Sequence, residues 1–271
     1  MAKFRIAMFA IRAASALAGG LAGVPLLAQS LAGPETFQYA VEWRLIPAGT
    51  ARLSFSPLGK TGQQPGSAAS EVRLHLESVG LVSRLFRVED DYTAMLGQNF
   101  CAQSEFVSAR EGNRHKETRI VFDSPARKAT WQEKDLAKNV TTSKEVEIPA
   151  CVHDLMGGLL LLRSLRLEPG KTAQIPVSDG KKFVQAKVEA QEREELKTEL
   201  GTVKTIRYEL FLFNNVLYKR SGHLHIWLTD DEKRLPVQLQ AKMQFAIGTI
   251  TFRIQKPASD SNPAVAAAAT K

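Results

Sequence analysis

Cysteine is scarce in this chain, with two in 271 residues. Neither stands directly after the first apolar segment, at its cleavage region, which argues against a lipid attached to a processed amino terminus. Aromatic residues make up only 7% of the sequence, too few for the two interfacial girdles of a transmembrane β-barrel. No serine lies in a G-x-S-x-G setting, so a serine hydrolase has no local support. A long apolar run is missing as well. The stretch Ala13 to Leu27 is broken by Gly19, Gly20, Gly23 and Pro25, and it falls short of the roughly 18 uninterrupted apolar residues a retained membrane helix needs.

What stands at the start is a three-part layout: Lys3, Arg5 and Arg12, then the interrupted apolar stretch, then small residues at Ser30 and Ala32. A positive start, an apolar middle and a small-residue cleavage region make a secretory signal. Residues 1–32 are therefore expected to be a cleaved signal peptide, and the rest of the chain is expected in the periplasm. Removing those residues lowers the formal charge from +8 to +5. The remaining Lys and Arg residues are scattered through alternating segments and form no stripe with interleaved aromatics, which argues against a nucleic-acid partner. Net positive charge is enough for loose attraction to anionic lipid head groups. Export would place Cys101 and Cys151 in an oxidising compartment, where a disulfide is the default and two buried free thiols are the alternative.

The stretch 33–256 reads as a single β-rich domain, a length that sandwiches and barrels reach without dividing. Residues 257–271, with Pro257, Pro263 and an alanine run, lack any apolar periodicity and are expected to be a disordered tail. Pro57 to Ser70, rich in Gly, Pro, Gln and Ser, reads as a loop.

Period-two alternation dominates the rest. Phe37, Tyr39, Val41, Trp43 and Leu45 share one face; Val72, Leu74 and Leu76 alternate with charged neighbours, and so do Ile206, Tyr208, Leu210 and Leu212. Leu235, Val237, Leu239, Ala241, Met243 and Phe245 oppose Gln238, Gln240, Lys242 and Gln244, and Ile250, Phe252 and Ile254 follow Gly248. One segment has helical spacing instead: Leu155, Leu159, Leu162 and Leu165, with Asp154 placed to cap it and Pro169-Gly170 to end it. Gly157 and Gly158 inside it either permit a close backbone contact or precede the helix. Short turns are expected at Pro47-Ala48-Gly49, Asp179-Gly180, Gly201 and Thr229-Asp230-Asp231. The fold class is all-β: a strongly curved antiparallel sheet or open β-barrel-like fold with one amphipathic helix, whose apolar side must wrap on itself. The helix and the polar tail also count against an outer-membrane barrel.

Several groupings could carry chemistry. His223 and His225, two apart beside Trp227, could begin a zinc or copper site, but no third ligand is near in sequence and the apolar face belongs to Leu224, Ile226 and Leu228. Cys151 beside His153-Asp154 resembles a thiol with its base, which a disulfide would consume. Glu89, Asp90 and Asp91 could supply paired carboxylates for glycan hydrolysis, although acidic residues flanking a strand are commonly solvated. None of these amounts to a catalytic constellation, and neither a metal nor a cofactor is expected. The apolar face is the remaining candidate: Phe37, Tyr39, Trp43, Leu74, Tyr208, Phe245 and Phe252 could line a groove for an acyl chain or a partner's hydrophobic segment, or pack a core against the helix.

In their order along the chain, Phe37, Tyr39, Val41 and Trp43, then Ala48-Gly49, Asp90-Asp91, Leu162-Arg163, Ile226-Trp227-Leu228, Asp230-Asp231 and Pro236-Val237 resemble the DUF3108 family. The resemblance spans about Phe37 to Ile254, with the family's aromatic residues near the helix replaced here by Leu159 to Leu162. It implies an exported protein with an open or incompletely closed β-barrel-like fold, similar in outline to periplasmic proteins that hold lipid or acyl groups, and it supplies no functional residues. The expectation is a non-catalytic periplasmic protein that supports the cell envelope by binding a lipid-like ligand, an acyl group or an envelope protein. A hydrolase acting on envelope glycan or lipid is the alternative.

Overall fold

The computed structural model describes residues 33–58, 69–244 and 248–256. The expected signal peptide, the expected tail, most of the Pro57–Ser70 loop and Phe245 lie outside the described residues. Within them the alternating segments extend as fourteen strands: β1 (Glu35–Trp43), β2 (Ile46–Pro57), β3 (Ser70–Ser78), β4 (Val88–Leu96), β5 (Ala102–Glu111), β6 (Arg114–Asp123), β7 (Lys128–Asp135), β8 (Val140–Glu147), β9 (Thr172–Ser178), β10 (Phe183–Thr198), β11 (Gly201–Leu210), β12 (Gly222–Thr229), β13 (Pro236–Met243) and β14 (Thr249–Ile254). They form one antiparallel sheet that runs from β8 back to β1, then from β14 back to β9. Nearly every ladder joins strands adjacent in sequence. The exception is β1 with β14, where Tyr39 faces Ile254 and Val41 faces Phe252.

β8 and β9 are consecutive in the chain yet stand at opposite edges of the sheet. The segment between them links edge strand β9 to the start of β5, an interior strand of the other half. Val152 accepts a hydrogen bond from the Ala102 amide at 2.8 Å, while the His153 amide donates to Pro176 and the Ser178 amide donates to His153, both at 2.9 Å. The sheet therefore curls until its two halves meet across Cys151–His153, and β8 and β9 do not pair directly. A disulfide between Cys101 and Cys151 holds this link, closing a sequence separation of 50 residues. On the chain-entropy model such a loop contributes about 4 kcal/mol by restricting the denatured state.

The concave side is dry, as the alternation requires. Phe37, Tyr39, Leu53, Phe55, Val72, Leu96, Val188, Tyr208 and Leu228 are all buried there. The expected helix is α2, Leu155–Ser164, and it lies against this side. The structure adds a short helix, α1 (Gly80–Leu85), between β3 and β4, and a 3-10 turn at Gln98–Phe100. The single apolar stripe expected of α2 is broader than its spacing indicated: Leu159, Leu160 and Leu162 are all buried, whereas Leu155 is 40% exposed. Each leucine so buried contributes about 1.5–3 kcal/mol.

The first expected turn is displaced. Pro47, Ala48 and Gly49 belong to β2, and the reversal occurs at Arg44-Leu45, both in the left-handed region at φ 50° and 69°. Two successive positive φ values are what a tight hairpin demands.

Candidate functional site

The most unusual chemistry in the molecule sits where α2 begins. Asp154 caps the helix, its Oδ1 accepting from the Gly157 amide at 2.6 Å, and its Oδ2 accepts a hydrogen bond from the Tyr92 hydroxyl of β4. Gly157 is required by a close approach, since a Cβ there would come within 2.5 Å of the Phe100 carbonyl oxygen. The glycine thus serves contact between helix and loop, and α2 starts before it.

Asp154 is fully buried. Burial pushes its carboxyl up, against the opposing pull of Tyr92, the Gly157 amide and His153. Glu105 of β5 faces the same region. Its carboxyl is pushed up to about 8, first by burial, then by Asp154 and Asp179. Water reaches part of its surface, but protein surrounds the carboxylate closely enough for desolvation to dominate. The Tyr92 and Tyr218 hydroxyls are raised by burial and by the same acids. At neutral pH this interior keeps Glu105 mainly protonated, able to donate as well as accept.

His153 is held by its surroundings. Nδ1 lies 3.1 Å from the Pro176 carbonyl and Nε2 3.1 Å from the Asn99 carbonyl. A neutral imidazole has a single N–H and can donate to only one of them at a time. Cys151 is committed to the disulfide. The triplet of thiol, imidazole and carboxylate therefore works in this structure as clasp, edge contact and helix cap. Cys101, Cys151 and His153 do bring their ligand atoms within 4.8 Å of one another, but sulfurs bonded to each other are not thiolate ligands.

At its other end α2 is anchored by Arg163, whose guanidinium is only 7% exposed. It binds Glu35 through both Nη atoms, at 2.6 and 3.1 Å, and donates to the Arg234 and Lys233 carbonyls at 3.0 Å. Tyr208 donates to the Leu167 carbonyl at 2.8 Å and accepts from Arg234 at 2.5 Å.

The apolar residues of the expected groove distribute unevenly. Phe37, Tyr39 and Tyr208 are buried in the core; Leu74 and Phe252 are partly buried against it; Trp43 is half-buried at the end of β1. Beside α2, between Leu155, Gly158, Ile175, Val188 and Leu212, lies a void of about 20 Å³, room for about one water molecule.

The three acids of β4 separate. In the β3–β4 register Asp90 lies opposite Leu76, on the concave side, and Asp91 opposite His75, on the other. Asp90 accepts from the Arg110 amide at 3.0 Å, and burial together with Glu111 pushes its carboxyl up to about 6. Glu89 pairs with Arg87 at 2.9 Å.

On the convex side His223 and His225 converge on a residue far away in sequence, Glu209 of β11, at 2.7 and 3.9 Å. The rings stack 6.1 Å apart. Nδ1 of His225 is buried without a hydrogen-bond partner, and burial pushes this imidazole's pKa down, Glu209 opposing. Next to them Trp227 is 5% exposed and donates to Glu194 at 2.6 Å. The far ends of β10 and β11 cover part of this side, so one dry face and one wet face is too simple a description of β12. A surface groove of about 330 Å³ lies beyond them, lined by Glu42, Lys197, Glu199 and Arg253 among others.

The family described as a protein of unknown function, DUF3108, matches residues 38–255. The chain belongs to the DUF3108 family. Among curated proteins none matches it. Of the solved structures, a β-barrel-like protein of domain of unknown function DUF1849 from Brucella abortus is similar over 83% of this chain and 96% of its own, at 8% identity and a TM-score of 0.49. A DUF1089 family protein from Pseudomonas aeruginosa covers 78% of this chain and 91% of its own, at 12% identity and a TM-score of 0.26. Among the described residues of this DUF3108 protein, no helix is long and apolar enough to cross a membrane.

Proposed function

We propose that this DUF3108 protein is exported to the periplasm and supports the cell envelope by binding, without catalysis, a lipid-like ligand or an envelope protein. The observation that carries this reading is the clasp of Cys101–Cys151 across the junction of the two sheet halves. A bond at that position is maintained by an oxidising compartment, which supports export. The groups best suited to nucleophilic chemistry are engaged in capping α2 and in joining β9 to the start of β5, which supports binding over turnover.

A hydrolase acting on envelope glycan or lipid is the competing reading. It is favoured by one feature, the carboxyl of Asp90 poised near 6 beside Glu111, the state of a general acid. Native mass spectrometry of protein purified from its own periplasm separates the two. The binding reading expects an added lipid-like or protein mass. An unliganded protein that hydrolyses envelope glycan or lipid, and stops doing so as Asp90→Asn, overturns it.

A further inference from the structure

Apolar side chains that the fold leaves in water are concentrated in one place. Among the described residues nine large hydrophobic side chains are exposed, and five of them lie in two loops: Leu45 at 81% and Ile46 at 47% in the β1–β2 hairpin, and Leu81 at 63%, Leu85 at 74% and Phe86 at 51% in and after α1. The loops are neighbours, since the Val79 amide that leads into α1 donates to Ala48 at 2.9 Å. The β5–β6 hairpin joins them. Its Gly112 amide donates to the Arg87 carbonyl at 2.7 Å, and a Cβ on Gly112 would come within 2.9 Å of the Phe86 ring. The three tips form one end of the molecule.

The charge interleaved with these side chains is mainly of one sign. Arg44, Arg84, Arg87 and Arg114 are all exposed on the same three tips. Arg87 is shared with Glu89 at 2.9 Å, and Arg44 stacks 5.5 Å from the ring of Trp43. Glu111 is the one acid in the tips themselves. Leucine, isoleucine and phenylalanine protruding among arginines, with a tryptophan at their base, form an amphipathic surface that matches an anionic bilayer: apolar tips enter the head-group layer while guanidinium groups stay at phosphate level. Side chains exposed to this degree project from convex loops, which suits a soft lipid surface better than the flat packed patch of a protein interface.

We infer that this end is a membrane-surface docking site for anionic phospholipid, formed by Leu45, Ile46, Leu81, Leu85 and Phe86 with Arg44, Arg84 and Arg87. The inference rests on the envelope reading above and names its partner, a bilayer surface, which the protein touches without spanning.

The test is flotation of the exported protein with vesicles of equimolar phosphatidylglycerol and phosphatidylethanolamine, with phosphatidylcholine vesicles alongside. The unaltered protein floats with the anionic vesicles, less so as salt is raised, and stays behind with phosphatidylcholine. The double variant Leu81→Asp, Leu85→Asp loses at least about tenfold in partition, because two inserted apolar groups become charges. Arg84→Gln loses about fivefold, the contribution of one basic residue near an anionic surface. Val121→Asp, altering a residue 56% exposed on β6, leaves partition unchanged. Circular dichroism of every variant reports on folding independently. Absence of flotation by the unaltered protein, or an equal loss in Val121→Asp, overturns the docking site. So does photocrosslinking from position 85 to an envelope protein while vesicles remain bare. If flotation fails while lipid still appears in the native mass spectrum, the docking site falls and the envelope reading stands.

Discussion

The two helices are both rich in leucine and differ in almost everything else. α2 has a side-chain cap from Asp154 and six buried residues, including Arg163. α1 has six residues, no side-chain cap and none buried. In α2 the leucines complete the core, and each end is tied by a buried polar group to strands far away in sequence. In α1 the leucines face water and touch mainly the adjacent hairpin. Leucine content therefore says nothing about role. The teaching of the pair is that an apolar side chain stabilises the fold only where the sheet curls over it, and elsewhere it is available for contact with something outside the chain.

The sharpest way to break that contrast is to truncate a leucine in each helix. Leu160→Ala, in a side chain 1% exposed, is expected to cost about 3 kcal/mol, whereas Leu85→Ala is expected to lie within about 0.5 kcal/mol of the unaltered protein. Arginines give the next contrast. Arg163→Ala leaves Glu35 and two backbone carbonyls without their donor. Because Glu35 is 29% exposed, losing these charged hydrogen bonds costs about 2–3 kcal/mol, read as a fall in the urea midpoint. Arg84→Ala changes the midpoint by less than about 0.5 kcal/mol equivalent, and equal losses would abolish the distinction between the helices.

Acid chemistry around α2 offers a subtler handle. Glu105 has its carboxyl raised from an ordinary 4.5 to about 8 in the folded protein. Between those values the unfolded chain has released its proton and the folded chain retains it, so the folded state binds more protons and stability falls as pH rises. Below that window the burial costs nothing in charge; above it the cost is constant. Glu105→Gln is expected to flatten the decline in urea midpoint between about pH 5 and pH 8. An unchanged slope would mean that Glu105 is hydrated like a surface acid. No such window is expected from α1, which has no acid in its first turn.

Much of this was open to reading from residues alone. Period-two runs such as Phe37, Tyr39 and Val41 point to one dry sheet face because successive Cβ atoms alternate, and the leucine spacing with Asp154 ahead of it marks α2. The junction was not open to the same reading. Tyr92 and Asp154 meet across 62 residues, and nothing local links them. Glu105 occupies an inward slot of β5, with Val107 and Ala109 next on that face, so an acid among small and apolar inward residues was the available signal. It becomes visible only after the face of β5 is known. Glu209, the convergence point of His223 and His225, was hidden for the same reason: cross-strand neighbours are set by register. The turn at Arg44-Leu45 was misplaced because Gly49 looks like a turn residue, whereas its use in β2 is to let the Glu77 carbonyl approach.

The amino-acid sequence on its own determined the strand alternation and the central helix with its cap, because these follow from local periodicity; the order of its motifs carried the resemblance to the DUF3108 family, and the structure joined the two cysteines. Only the tertiary structure decided how far the sheet curls, that β1 meets β14, which acids become buried together, and that one helix is covered while the other is left in water. Those outcomes depend on long-range register and on how a twisted sheet packs against α2, and no short stretch of residues encodes them.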